Sequence, residues 1–379
     1  MKIDFMAEAQ SLREKLISLR EEFHQTPELG NHEFKTAELI EKVLDEAKIP
    51  HKRILDTGIV ARVEGKLPGR HSAIRADIDA LPITEATGAK FSSRNPGFMH
   101  ACGHDVHVTG ALGAATILQH LATYMHGSAT FLFQPDEEGD GGADRMIKAG
   151  GLEDVDAVFG CHVDPALPAG HVGVRYGNFY AASAMFKIAI IGKSVHGAQR
   201  DKGIDAIEVS ANIIPKVLKI PGGVVSVGKL NAGTAGNILA GRAEFAGIIR
   251  TFGVDERARM CREFQEICEQ VCASFGARCE CDFNLSCPGV INDNDALTSL
   301  VEETAREALG SERVHRIEKP LFISEDFGFY IMARTGNFYH VGAGCECPLH
   351  SNNFLPDPDA IITASALHAA VVEKFNSQD

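Results

Sequence analysis

The stretch ATFLFQPDEEG, residues 129–139, gives the clearest indication of the fold. Residues 129–133 read as a short, continuous buried strand, and Glu137 and Glu138 follow it closely. A second such strand at 156–160 runs into Cys161 and His162. Short apolar strands separated by helices are typical of a parallel sheet covered on both faces. Because ligands of such sheets bind beyond the carboxyl ends of the strands, these polar residues are candidates for a functional site.

A second stretch, MHACGHDVHVTGALGAATIL at 99–118, places a thiol and an imidazole two residues apart. Thiolate and imidazole are the strongest side-chain donors for zinc-like ions, so Cys102 and His104 are candidate ligands. Gly103 between them lets the backbone fold tightly enough for both to face one ion. A loop with a buried cysteine and a surface histidine would give the same pattern, so further ligands are needed.

The same sheet edge collects more polar residues. A strand at 72–78 runs into Asp77 and Asp79, so these carboxylates join Glu137, Glu138 and His162 at the predicted carboxyl ends. This coincidence favours a functional site over chance. The surrounding pattern predicts an amphipathic helix, a second helix ending near residue 48, a strand and a turn, at 5–22, 31–48, 59–63 and 66–69.

Residues 183–292 follow a different pattern, in the order strand, helix, two strands, helix, strand. That order predicts a small ferredoxin-like α+β domain inserted into the first domain. The α/β catalytic domain then comprises residues 1–182 and 293–379, with a helix at 296–309, a strand at 337–341 and a helix at 358–375. The predicted fold class is α/β, with a mostly parallel sheet flanked by helices and an inserted lid domain.

Composition narrows the partners. A chain of 379 residues is expected to form two domains. Its net charge of -14 argues against nucleic acid, which requires a basic face. The sequence lacks both an apolar run of the ~20 residues that span a bilayer and a signal-type N-terminus, which predicts a cytoplasmic protein without membrane contact. Its ten cysteines are then expected to be reduced thiols.

Five side chains are candidates for metal binding: Cys102, His104, Glu138, His162 and His350. Glu137, next to Glu138, is a candidate for the catalytic base. In an extended segment successive side chains point apart, so one acid of Glu137–Glu138 would bind metal and the other would face the attacking water. Such a carboxylate can take a proton from water and return it to a leaving amine. A solvated acidic turn is the alternative for this pair.

Motifs along the whole chain resemble the M20 metallopeptidases, and within them the aminoacylase-like amidohydrolases. That group includes hippurate hydrolases, auxin-conjugate hydrolases and N-acetyldiaminopimelate deacetylases. The matching segments are HQTPELG (24–30), RADIDALPITE (75–85), MHACGHDVH (99–107), FQPDEEGDGGADRMI (133–147), GCHVDP (160–165), IGKSVHGA (191–198), GIDAI (203–207), AGTAGNILAGRAEFAGIIRTF (232–252), SEDFGFY (324–330) and PLHSNNF (348–354).

The resemblance implies two divalent ions in one site. Their ligands would be the five donors named above, with Cys102 as the bridge and Glu137 as general base and acid. Zinc, manganese, cobalt and nickel all suit mixed thiolate, imidazole and carboxylate ligands. Asp77 or Asp79 would orient a ligating imidazole from behind, although a plain cap at the strand end explains either residue equally well.

The inserted domain of the family contacts substrate. By this resemblance His196 would stabilise the oxyanion, within its own subunit or across the interface of a homodimer formed by the lid domains. Asn237 and Arg250 would bind the substrate carboxylate, for which arginine offers a bidentate fork. A turn position for Asn237 and a sheet-edge ion pair for Arg250 are the alternatives. The family commonly has a proline soon after this histidine, whereas this chain reads Gly197-Ala198, which affects substrate shape more than chemistry.

The sequence therefore predicts a metal-dependent hydrolase that splits an N-acyl amino acid into a carboxylic acid and an amino acid. A dipeptidase or aminopeptidase on the same scaffold, and a metal-binding relative without catalysis, are the competing hypotheses. The acyl group, the amino acid and the native metal stay open. Cys345 and Cys347, close to His350, are interpreted as reduced thiols, with an accessory soft-metal site as the alternative.

Overall fold

The computed structural model describes residues 3–378 and consists of two compact units. The first unit comprises Met1–Phe179, Ile291–Lys319 and Asp326–Asp379. The second comprises Tyr180–Val290 together with Pro320–Glu325. The domain bounds 1–182, 183–292 and 293–379 inferred from the sequence stay a prediction.

The strands follow one another along the chain as β1 His51–Ile54, β2 Gly58–Glu64, β3 Leu67–Asp77, β4 His126–Gln134, β5 Ala157–Asp164, β6 Val172–Val174, β7 Gly177–Tyr180, β8 Ala182–Ile191, β9 Gly223–Ala232, β10 Arg242–Thr251, β11 Arg278–Asn284, β12 Val290–Asn292, β13 Val314–Arg316 and β14 Thr335–Gly342. The α-helices are α1 Phe5–Ser11, α2 Arg13–Gln25, α3 Phe34–Glu46, α4 His104–His120, α5 Ala143–Lys148, α6 Ala206–Val217, α7 Val254–Phe275, α8 Asp295–Leu309, α9 Gly328–Ala333 and α10 Asp359–Asn376.

The first unit is built on an eight-stranded sheet in the order β1-β2-β4-β3-β5-β14-β6-β13. At its centre β3 pairs in parallel with β4 and β5, and β5 pairs in parallel with β14. Antiparallel pairs join β1 to β2, β2 to β4 and β6 to β14. The mostly parallel sheet flanked by helices is therefore confirmed. The parallel centre brings the carboxyl ends of β3, β4 and β5 to one edge.

Helices α4 and α10 form the core beside this sheet, and nearly every residue of both is buried. They approach closely because α4 carries glycine where α10 faces it. A Cβ at Gly110 would lie 2.8 Å from the Cβ of Ala364, and one at Gly113 would lie 2.2 Å from Oγ of Ser365. The small-residue run after His104 thus allows α4 to pack closely against α10.

The second unit contains a four-stranded antiparallel sheet in the order β11-β8-β10-β9. Its chain order of strand, helix, two strands, helix, strand is that of a ferredoxin-like fold. Helices α6 and α7 supply buried residues to a separate hydrophobic core with the inner face of this sheet. The opposite face is exposed, as Met185 and Lys187 on β8 illustrate. The predicted ferredoxin-like element order is confirmed.

Several details differ from the sequence-based predictions. The opening helix at 5–22 is two helices, because Leu12 leaves helical geometry with ψ near 0°. The turn predicted at 66–69 is wrong, since β3 already begins at Leu67 and continues through Pro68 and Gly69. Short elements such as β6, β13 and α9 were not predicted, because three to six residues carry too little periodicity to stand out. None of the helices described is long and apolar enough to cross a membrane.

Candidate metal centre

The loop that carries Cys102 enters α4 through a left-handed glycine. Gly103 has a φ of 84° and occupies the N-cap position of the helix. A Cβ there would lie 2.5 Å from Cγ2 of Val163, so conformation and space both require glycine. Cys102 is buried two residues before His104, the first residue of α4.

Cys102, His104 and His162 form a first group of donors, each with an atom within 4.8 Å of the other two. The Sγ of Cys102 lies 3.3 Å from Nε2 of His162. On the other side of that ring, Nδ1 donates a hydrogen bond of 2.8 Å to the carbonyl oxygen of Val163. Burial, and then the neighbouring His107, hold the pKa of His162 well below its usual range. The ring is therefore neutral, which is the form that binds metal.

His104 is oriented by a carboxylate. Its Nδ1 lies 3.2 Å from Oδ1 of Asp79, while its buried Nε2 has no hydrogen-bond partner among the described residues. Burial alone would lower the pKa of His104, but the charges of Asp77 and Asp79 outweigh it and raise the pKa to about 10. A carboxylate on one ring nitrogen, with the other nitrogen aimed at donor atoms, is the usual arrangement of a metal-ligating histidine.

A second group of donors comprises Cys102, Glu138 and His350, again within 4.8 Å of one another. Oε1 of Glu138 lies 3.2 Å from Nε2 of His350 without the alignment of a hydrogen bond. The backbone N–H of His350 donates to the carbonyl of Ala101 at 2.8 Å, and this residue has a φ of 64°. This contact holds a residue from far along the chain beside the Cys102 loop.

Glu137 and Glu138 lie in a turn, not in an extended segment as the sequence argument assumed. Asp136 before them has a φ of 59°, and the backbone N–H of Glu138 donates to Oδ2 of Asp79 at 3.0 Å. In this turn both glutamates offer an oxygen within 4.8 Å of each other and of His104. The expectation that only one of the two carboxylates can face the site is wrong, because it applies to extended backbone.

Asp77 lies at the centre of a buried network behind these donors. Its Oδ1 accepts a hydrogen bond of 2.6 Å from Nδ1 of His107, and its Oδ2 accepts one of 2.6 Å from Arg75. Burial would raise the pKa of Asp77, but the charges of His104, Arg75 and His107 lower it well below the usual range. Since Nε2 of His107 accepts from the N–H of Val163 at 2.9 Å, both nitrogens of that ring are occupied.

Sequence reasoning missed the roles of Arg75 and His107. Both lie inside motifs that drew attention for other residues, and His107 follows His104 at the three-residue spacing that puts two side chains on one helical face. Asp105, next to His104, turns the other way. Its Oδ2 accepts hydrogen bonds of 2.6 Å from Arg20 and 2.8 Å from His24, so it anchors α2 to α4 and does not join the donor groups.

The donor set fits a zinc-like ion. Thiol, imidazole and carboxylate are the ligand types of such sites, and all converge on the carboxyl ends of β3, β4 and β5. A buried ring nitrogen without a hydrogen bond is costly unless another group binds it, and among the described residues Nε2 of His104 is such an atom. Cys345 and Cys347 belong to none of the donor groups found among residues 3–378.

The second unit positions the other three candidate residues. His196 forms an isolated antiparallel bridge with Ile238, and the N–H of Gly197 donates to the carbonyl of Asn237 at 2.8 Å. His196 and Asn237 are therefore neighbours, and both are exposed. Nδ1 of His196 accepts from the N–H of Ala198 at 3.1 Å, so Nε2 is the ring nitrogen that can donate.

Arg250 lies on β10, between β8 and β9, and its guanidinium donates to Oγ of Ser183. Burial lowers its pKa from the usual value. Within the part of the chain described, Arg250 forms no ion pair, so the alternative of a sheet-edge ion pair is wrong. A half-buried guanidinium with a neutral partner has the capacity to bind an anion.

Comparison with known proteins agrees with this geometry. The chain is 35% identical to an N-acetyl-L-cysteine deacetylase of Bacillus subtilis over 365 residues, which are 94% of this chain and 86% of that protein. It is 31% identical to thermostable carboxypeptidase 2 of Saccharolobus solfataricus, with 98% of each chain covered. The crystal structure of a dinuclear metal-binding M20 peptidase from Bacillus subtilis superposes with a TM-score of 0.87 at 33% identity, over 96% of this chain and 98% of that one.

The family assignment rests on the length of these matches. The sequence profile of Peptidase family M20/M25/M40 matches residues 73–374, which include every donor described above. The expectation of an M20-type enzyme that has deacetylases among its relatives is thereby confirmed. The chain belongs to the peptidase family M20/M25/M40 and is a metal-dependent hydrolase of that family.

Proposed function

We propose that the chain hydrolyses the amide bond of an N-acyl amino acid, releasing a carboxylic acid and the free amino acid. The observation that supports this most is that two donor groups share one thiol. Cys102 lies within 4.8 Å of His104 and His162, and also of Glu138 and His350. A shared ligand between adjoining groups suits a pair of divalent cations about 4 Å apart. The deacetylase relative supports the substrate class.

The proposed ligands are Cys102, as the bridge, with His104, Glu138, His162 and His350. Bound there, two cations of the zinc, manganese, cobalt or nickel type would polarise the amide carbonyl and acidify the attacking water. Glu137 takes a proton from that water while the water oxygen attacks the carbonyl carbon. The same carboxyl group then protonates the amide nitrogen as the C–N bond breaks, which returns Glu137 to its starting charge. The assignment of Glu137 as base and Glu138 as ligand follows the family resemblance, since both carboxylates reach the site.

The substrate carboxylate is proposed to bind Arg250, with Asn237 as a second contact and His196 as donor to the oxyanion. The absence of an ion pair at Arg250 among residues 3–378 supports its role, because its charge is available to a ligand. Because Nδ1 of His196 accepts a hydrogen bond, Nε2 carries the proton, which supports the oxyanion assignment. A homodimer formed through the second unit is part of the proposal, and mass measurement in solution tests it.

A panel of substrates tests the reaction. The purified protein, loaded in turn with each of the four metals, is given N-acetyl, N-benzoyl and N-indoleacetyl amino acids and the matching unblocked dipeptides. Faster hydrolysis of the blocked substrates is expected. Preference for the dipeptides would favour a peptidase. This is the second candidate function, because one relative of the chain is a carboxypeptidase. No hydrolysis with any metal would leave a metal-binding protein without catalysis.

A further inference from the structure

Helix α7 and strand β11 face each other with two cysteines each, and we call these four residues the thiol ladder: Cys268 and Cys272 on the helix, Cys279 and Cys281 on the strand. Cys268 and Cys272 belong to the core of the second unit, and Cys279 and Cys281 pack against that core. Helix α7 ends at Phe275 and β11 begins at Arg278, so Cys272 lies nearest to Cys279, and Cys268, one turn earlier, lies nearest to Cys281. Residues four apart on a helix rise about 6 Å, and residues two apart on a strand about 6.6 Å. The two spacings agree, so the cysteines meet as two pairs in register.

The two sides of the ladder differ in access to solvent. Cys268 is 0% exposed and Cys272 is 2% exposed, within the core of the second unit. Cys279 and Cys281 are partly exposed, on an edge strand of the four-stranded sheet. The strand cysteines are therefore the more accessible members of the ladder, and the helix cysteines lie on its buried side.

The two pairs differ in how readily the outer thiol ionises. The neighbouring thiol of Cys268, and secondarily that of Cys279, lower the pKa of Cys281 despite its partial burial. Burial, and then the neighbouring Cys281, raise the pKa of Cys279. Since the thiolate is the reactive form, the two outer cysteines are expected to react at different rates. A reactive, accessible thiol next to a buried partner is the arrangement of oxidation-sensitive cysteine pairs.

We propose that Cys281 and Cys268 form an oxidisable dithiol, in which Cys281 reacts first and Cys268 resolves it as a disulfide between β11 and α7. With a peroxide as oxidant, the Cys281 thiolate attacks one peroxide oxygen, the O–O bond breaks, and a sulfenic acid and hydroxide form. The Cys268 sulfur then attacks the Cys281 sulfur, the S–O bond breaks, and water leaves with the thiol proton. The peroxide is reduced and the two thiols are oxidised. This proposal is independent of the reaction proposed for the metal centre.

Peptide mapping of the metal-loaded, full-length protein tests the proposal. The protein is treated with one equivalent of hydrogen peroxide, its remaining thiols are alkylated, and it is cut with trypsin without reduction. Cleavage after Arg262 and Arg278 separates the helix cysteines, on residues 263–278, from the strand cysteines, on residues 279–306. The expected result is the loss of two free thiols per chain and a cross-link between these peptides that dithiothreitol reverses. Fragmentation should place the link at Cys268 and Cys281.

Three variants make the result decisive. With Cys268→Ser the link should disappear, and dimedone should instead trap a sulfenic acid on Cys281. With the matched control Cys272→Ser the link should remain. A link from Cys279 to either neighbour, or no link while Cys281→Ser protects no thiol, would overturn the proposal. Zinc that resists chelation, and that is lost in Cys268→Ser and Cys281→Ser while active-site metal stays, would overturn it in favour of a thiolate metal site.

Discussion

The thiol of Cys102 and the thiol of Cys281 in the ladder have contrasting surroundings. Cys102 lies among imidazoles and carboxylates, and burial followed by the charges of Glu138 and Glu137 raises its pKa well above the usual range. In the thiol ladder the nearest groups are other thiols, and the pKa of Cys281 is lowered. The carboxylates that keep Cys102 protonated are the groups that a cation would neutralise. The proposed metal binding at Cys102 and the proposed oxidation at Cys281 both depend on this difference: carboxylates surround the first thiol, and other thiols lie next to the second.

The largest effect is expected from removing the shared thiol. Cys102→Ser should lose metal on dialysis against a chelator, and with it all metal-dependent hydrolysis, because both donor groups contain this residue. Cys281→Ser, the matched change in the ladder, should keep both metal content and turnover. Metal analysis alongside a hydrolysis assay checks the pair. If the Cys102 variant retained two ions, Cys102 would not be a required metal ligand, and the contrast with Cys281 would be rejected.

Removing the proposed base, Glu137, should lower the turnover rate without changing the metal content. Glu137→Gln is expected to lower kcat about 10³-fold, the range for loss of a positioned proton carrier. Metal content should stay normal, since the amide keeps the shape of the side chain. Glu280→Gln, an exposed change on β11 between two cysteines of the ladder, serves as control. Near-normal turnover of Glu137→Gln would reject the assigned base, and the reciprocal Glu138→Gln variant would then become the candidate.

The carboxylate behind His104 should affect metal affinity more mildly. Asp79→Asn removes the charge that faces Nδ1 of His104, and losses of this kind cost about 10- to 100-fold in metal affinity. Competition with a chromophoric chelator measures the affinity. The exposed Asp282→Asn on β11 is the matched control and should leave the affinity unchanged. Equal affinities for both variants would mean that Asp79 is a strand-end cap.

The smallest effect is a pH dependence. In the metal-free protein the pKa of His104 is about 10, so at neutral pH this ring carries a proton that an incoming cation must displace. The thiol of Cys102, whose pKa is also raised, must lose its proton as well, so apparent metal affinity should rise with pH by about tenfold per unit for each proton displaced. Calorimetry in buffers of different ionisation enthalpy counts the protons released. Release of fewer than two protons per chain at neutral pH would show that Cys102 or His104 has already lost its proton in the metal-free protein, and it would weaken the contrast with the ladder.

The sequence by itself determined the layout of the fold. Periodicity located the long elements, such as α7 and α10, and the apolar strands at 129–133 and 156–160, because burial on one or both faces leaves a repeating pattern. The rule that polar residues gather at the carboxyl ends of parallel strands predicted where Asp77, Glu138 and His162 would meet. The motifs added His350, which no local pattern connects to Cys102.

Tertiary structure alone decided the contacts that depend on direction. The adjacent residues His104 and Asp105 point in different directions. Asp105 accepts hydrogen bonds from Arg20 and His24, whereas His104 faces Asp79. The turn at Asp136 brings both glutamates to one imidazole. The pairing of Cys268 with Cys281 needs a helix and a strand to pack with matched spacing. A sequence specifies which groups exist and where helices and strands run, but side-chain direction, burial and the resulting pKa values arise only when separate elements pack together.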